Sequence, residues 1–93
     1  MIKGFASKNT EEFYNTGKSR IFPPDILKRA SMRLIQLNAV TAVNDLRMPP
    51  SNNLEALSGE REGQHSIRIN KQWRLCFRFV NGDAYDVEIT DYH

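Results

Sequence analysis

A chain of 93 residues with 40% hydrophobic and 26% charged content has the make-up of one small globular domain, expected over residues 1–93. No run approaches the ~20 apolar residues of a membrane span, and the opening Met1-Ile2-Lys3-Gly4-Phe5 is too short and polar for a secretion signal, so the expected setting is the cytoplasm, with no membrane partner. The single cysteine, Cys76, excludes an internal disulfide, and no Cys/His group has zinc spacing. The net charge of +2 is split: residues 1–50 carry eight Lys/Arg against four acids (+4), residues 51–93 five against seven (−2). A basic front half suits docking to a polyanion, although charges scattered over any small soluble protein also give such a split.

Residues 2–5 read as a short first strand. Asn9-Thr10-Glu11-Glu12 has a capping-box pattern, an N-cap residue followed three places later by Glu, and predicts a short helix anchored by Phe13 and stopped by Gly17. Phe22-Pro23-Pro24-Asp25 opens a second helix, since proline is tolerated in a first turn and Asp25 complements its positive end. Leu27, Ala30, Leu34 and Leu37 recur at three- and four-residue steps and predict its buried stripe, with Lys28, Arg29 and Arg33 off that stripe. Asn44-Asp45-Leu46-Arg47 reads as a turn. Met48-Pro49-Pro50-Ser51-Asn52-Asn53 is a loop that divides a helical half from a strand half.

Strands are predicted over residues 54–58, 64–69, 73–79 and 84–93. In the third, Trp73, Leu75, Phe77 and Phe79 alternate with Arg74 and Arg78, the mark of a half-buried strand. Asn81-Gly82 invites a two-residue turn, but that register sets Phe77 against Asp86. A three-residue loop at 81–83 instead pairs Phe79 with Tyr85, Phe77 with Val87 and Leu75 with Ile89, and matching the core selects it. The same logic pairs Ile69 with Trp73 and Ile67 with Leu75. On the other face Arg78 meets Asp86, and Arg68 meets Arg74.

Like charges opposite each other destabilise a sheet by a few tenths to ~1 kcal/mol, so the Arg68–Arg74 pair asks for an anion. Tyr92 shares the parity of Arg74, Glu55 is placed on the same side, and His93 ends the chain beside them. Two guanidiniums match phosphate oxygens, and a carboxylate with an imidazole supplies a general base and a general acid. These are parts for cutting RNA by attack of its own 2′-hydroxyl, with no metal or other cofactor: Glu55 or His93 as base, Arg74 with Arg68 stabilising phosphate charge, His93 protonating the leaving 5′-oxygen, and Tyr92 stacking on a base. Blander readings stand beside these. Arg74 is an ordinary ion-pair partner, Glu55 a solvated strand residue, His65 a residue packed at the core's edge, and Cys76 structural filler beside Ser66.

The run Leu54-Glu55-Ala56-Leu57-Ser58-Gly59, the strand Gly63 to Asn70, Gln72-Trp73-Arg74-Leu75-Cys76-Phe77, the strand Gly82 to Ile89 and the ending Asp91-Tyr92-His93 together resemble the HigB toxins, the plasmid-maintenance killer branch of the RelE superfamily. The resemblance spans essentially the whole chain. It implies an α+β fold, two N-terminal helices packed on an antiparallel β-sheet as in RelE-like microbial ribonucleases. It implies a toxin that cleaves mRNA in the A site of the 70S ribosome. Its implied partner is a HigA-type helix-turn-helix antitoxin, through which alone it would meet operator DNA. Of the family's active-site residues, Arg74, Asp91, Tyr92 and His93 match. Two positions depart: some HigB proteins have histidine where this chain has Glu55, and lysine where it has Ser58. The related YoeB toxins resemble this chain in using glutamate, so Glu55 is expected to act as base if burial lifts its pKa. Lys28, Arg29, Arg33 and Arg68 are the expected RNA contacts. The alternatives are a non-catalytic ribosome- or antitoxin-binding module and a ribosome-independent ribonuclease.

Overall fold

The structure, a computed structural model, describes residues 1–91. Two helices, α1 (Lys8–Thr16) and α2 (Pro24–Ala39), precede four antiparallel strands, β1 (Glu55–Ala56), β2 (His65–Arg68), β3 (Trp73–Val80) and β4 (Asp83–Asp91), which lie in sequence order across one sheet. The core is the layer between helices and sheet, where Phe13, Ile26, Leu34 and Leu37 meet Ile67, Leu75, Phe77 and Val87. Burying each such side chain stabilises the fold by about 1.5–3 kcal/mol relative to leaving it exposed. The expected α+β architecture is the one observed.

Local starts and stops follow side-chain chemistry, with some differences from expectation. The cap of α1 is Ser7, whose Oγ accepts from the Thr10 N–H at 3.2 Å, and not Asn9. The earlier hydroxyl wins because Ser7 is extended there and its oxygen reaches an N–H that the helix cannot satisfy. Gly17 ends α1 in the left-handed region, at φ 74. In α2 the stripe is Ile26, Ala30, Leu34 and Leu37, with Leu27 half-buried at its flank. Arg33 departs from expectation: it is buried among these residues. Its long apolar stem packs while its guanidinium reaches the Arg68 carbonyl and the Ser51 hydroxyl. The expected turn near Leu46 is a 3₁₀ segment over Val43–Arg47, and the expected strand over 54–58 shortens to Glu55–Ala56.

The outer edge of β4 is closed by the chain's own start. The first strand takes the form of two parallel bridges, Ile2 to Ala84 and Phe5 to Val87. Beyond them the buried Thr10 Oγ1 accepts from the Ile89 N–H at 3.0 Å.

Between β2 and β3 the expected pairs Ile67–Leu75 and Arg68–Arg74 are found. Between β3 and β4, Leu75 does pair with Ile89, but near the turn Phe79 faces Ala84 and Arg78 faces Tyr85. The expected Phe79–Tyr85 pair and the three-residue loop are therefore not formed. Asn81 at φ 51 and Gly82 at φ 85 make the two-residue turn that their sequence invites. A bulge follows, in which Asp86 at φ 52 and Val87 together oppose Phe77. The extra residue restores the core register, so Val87 and Ile89 still point at the helices. The expected Arg78–Asp86 ion pair forms at 3.3 Å.

Candidate active site

The face of the sheet away from the helices carries Ser66 and Arg68 from β2, Arg74 and Cys76 from β3, and Glu88 and Thr90 from β4. Arg74 is its best-fixed cation. Its Nε donates to Ser66 Oγ at 2.7 Å, and its Nη2 donates to the Asn53 carbonyl at 2.7 Å. The Glu55 carboxylate lies 3.9 Å from Nη2. Arg74 is only 7% exposed, so these partners orient one guanidinium edge inward and hold the charge at a set place.

The Asn53 carbonyl is positioned by its neighbour. The Asn52 side chain is fully buried, and its Nδ2 donates to Gln36 Oε1 and to the Leu46 and Met48 carbonyls at 2.9, 3.0 and 3.3 Å. That pins the loop before β1 and leaves Asn53 in the left-handed region, at φ 45. Arg33 adds a second tie: its Nε donates to the Arg68 carbonyl at 3.0 Å and its Nη2 to Ser51 Oγ at 3.4 Å. Burial, and then the neighbouring Arg29 charge, hold the Arg33 pKa below its ordinary value. Arg33 is thus a structural tie between α2, β2 and the loop, which corrects its placement among the outward-facing RNA contacts.

Glu55 sits opposite Ser66, on the Arg74 side as expected, and Asn53 Nδ2 donates to it at 3.3 Å. Its side chain is 47% exposed, as the reading of a solvated strand residue has it, and open to solvent beside Arg74. Arg68 faces Arg74 in register but turns its Nε to the Asn70 carbonyl at 3.1 Å. The two guanidiniums are thereby tied to different loops. Asp91 pairs with Trp73, which places it on the helix-facing parity, and its carboxylate accepts from Gln72 Nε2 at 3.1 Å. Alternation therefore separates Asp91 from Arg74. Tyr92 and His93 lie outside the described residues. Lys28 and Arg29 are exposed on α2 and line an open cavity of about 440 Å³ with Met32, Ile69 and Asn70. His65 stacks on Phe77 at 6.3 Å, at the edge of the core.

Arg61 had no signal in its local sequence. It lies in a 3₁₀ turn over Gly59–Arg61, and its Nη1 reaches Glu88 Oε1 at 2.7 Å and Gln64 Oε1 at 3.1 Å. The partners are 27 positions apart, and they meet because the turn folds over this face, where Arg78 Nη1 donates to the Glu62 carbonyl at 3.4 Å. Arg61 and Arg74 both act on the Cys76 thiol electrostatically. Burial pushes that thiol up, against the Thr90 hydroxyl and the Arg61 charge that pull it down.

A family model described as the RelE-like toxin of type II toxin-antitoxin system HigB matches residues 3–93. The chain belongs to the HigB-like toxin family. It is 42% identical over 85 residues to Toxin HigB-1 of Vibrio cholerae, covering 90% of each chain. It is 34% identical over 93 residues to Endoribonuclease HigB of Proteus vulgaris, covering all of both. Among solved structures this HigB-like toxin resembles the YoeB-YefM complex from Staphylococcus aureus, with TM-score 0.63, 19% identity and coverage of 100% of this chain and 95% of that one. It also resembles YafQ from E. coli, with TM-score 0.59, 15% identity and coverage of 98% and 91%. At those identities the structural likeness concerns the fold. Membership in a toxin-antitoxin family gives this HigB-like chain an antitoxin as partner. No helix among its described residues is long and apolar enough to cross a membrane.

Proposed function

We propose that this HigB-like toxin is an endoribonuclease that cuts mRNA in the ribosomal A site. The observation that carries the reading is the pairing of Arg74, held by Ser66 and Asn53, with the Glu55 carboxylate 3.9 Å away on one face. A fixed guanidinium stabilises charge on a phosphate without having to reorganise during the reaction. Glu55 removes the proton from the RNA 2′-hydroxyl, the 2′-oxygen attacks phosphorus, and the bond to the 5′-oxygen breaks. That oxygen takes a proton from His93, and Tyr92 stacks on a base. Arg68 steadies the adjoining phosphate. A relative of the same full length bears the name endoribonuclease, which supports this chemistry.

The exposed Lys28 and Arg29 contact ribosomal RNA, whose phosphates reward surface cations. The partner is a HigA-type helix-turn-helix antitoxin, and operator DNA is met only through it. The site of action is the cytoplasm. A second reading, a non-catalytic module that blocks the ribosome, draws on the burial of Arg74. Primer extension on mRNA from a translating extract separates the two. Cuts within codons by the wild type, lost in Arg74→Ala, support cleavage; arrest without cuts supports the module.

A further inference from the structure

The turn between β1 and β2 places a second cation on the Arg74 face. It folds over that face as far as β3, where Arg78 Nη1 donates to the Glu62 carbonyl at 3.4 Å, and from it Arg61 meets Glu88 on β4 at 2.7 Å. Glu88 pairs in register with Cys76, which itself pairs with Ser66, the residue that holds Arg74. Arg74 and Arg61 therefore approach one central residue, Cys76, and both charges act on its thiol. Cys76 is fully buried, on the face away from α1 and α2.

The two arginines differ in exposure. Arg74 is 7% exposed and anchored to the backbone. The Arg61 side chain is 31% exposed, and that of Glu88 is 25% exposed. A partly exposed guanidinium on the same face as a buried one gives that face a second fork for phosphate oxygens. The ion pair holds Arg61 over the sheet, but the carboxylate occupies the same fork that a phosphate would use.

We propose that Arg61 is a substrate-positioning residue, binding the RNA phosphate next to the one held at Arg74, with Glu88 as the carboxylate that a phosphate displaces. The proposal rests on the endoribonuclease reading above. It assigns opposite effects to the two halves of one ion pair. Removing the cation weakens RNA binding, and removing the carboxylate strengthens it.

The test measures KM and kcat for cleavage of mRNA on programmed ribosomes, with thermal unfolding recorded for each variant. Arg61→Gln is expected to raise KM about tenfold, the loss of roughly one charge-assisted hydrogen bond, with less change in kcat. Arg61→Lys is expected to recover most of that loss, and Glu88→Gln to lower KM. If Arg61→Gln and Glu88→Gln both raise KM, in step with lost thermal stability, the pair is only structural and the proposal is overturned. An unchanged KM in Arg61→Gln with normal wild-type cleavage also overturns it while leaving the endoribonuclease reading intact. A wild type that cuts no RNA overturns both.

Discussion

Ser66 Oγ accepts a 2.7 Å hydrogen bond from Arg74 Nε in a place that water does not reach. Replacing Ser66 with Ala leaves a buried, charged donor without that acceptor. The expected cost is about 1.5–3 kcal/mol of folding stability, and the guanidinium loses its fixed aim. Urea unfolding together with cleavage assays checks this: Ser66→Ala unfolds at lower denaturant and cuts more slowly even where it remains fully folded.

Arg33 and its helix neighbours separate structure from binding. Arg33→Gln removes part-buried bonds to the Arg68 carbonyl and Ser51, and is expected to cost about 1–3 kcal/mol of stability. Lys28→Gln lies on the surface and is expected to change stability by no more than about 0.5 kcal/mol, while Arg29→Gln also loses a 3.3 Å bond to the Ile69 carbonyl and is expected to cost about 0.5–1.5 kcal/mol. Both weaken ribosome binding, each lowering the salt dependence by about one unit of slope. Denaturation curves and binding titrations at several salt concentrations separate the two classes.

These residues also mark how much was legible. The Ile67–Leu75 and Arg68–Arg74 pairs follow from strand alternation around a short turn, and the structure has both. The β3–β4 hairpin is only half legible, because strand alternation implies one parity along its whole length. The bulge at Asp86 changes parity midway, so the Asn81-Gly82 turn and the core match both hold. Arg33 is buried outside the stripe that apolar residues alone mark in the sequence, because its stem packs like an apolar side chain. Arg61 and Glu88 meet only because the turn after β1 folds over the outer face of the sheet, which local pattern does not encode. Glu55 was rightly set beside Arg74, but whether it was buried depended on the two-residue length of β1.

The bulge predicts its own sequence preference. Asp86 sits at φ 52, a region that β-branched residues avoid. Asp86→Val is expected to destabilise the fold by about 1–3 kcal/mol, while Asp86→Gly relieves backbone strain and loses only a solvent-exposed ion pair. Denaturation midpoints should rank wild type and Asp86→Gly close together and Asp86→Val well below.

Burial raises the Cys76 pKa in the folded chain. In the unfolded chain the thiol ionises near its ordinary value of about 8.5. Below that pH both states hold the proton and the stabilising difference is complete. Above it the unfolded state loses the proton first, so stability falls as pH rises toward the folded pKa. Urea unfolding at neutral and at alkaline pH should show this decline in the wild type and a smaller one in Cys76→Ala. Thiol reagents at neutral pH should label Cys76 only on unfolding.

Primer extension on mRNA from a translating extract tests the central claim most directly, using wild type, Arg74→Ala and Glu55→Gln, each shown to be folded by circular dichroism. The account predicts cuts within codons for the wild type, none for Arg74→Ala and strongly reduced cutting for Glu55→Gln. Translation arrest by Arg74→Ala at wild-type strength, with no cut in the mRNA, would contradict it.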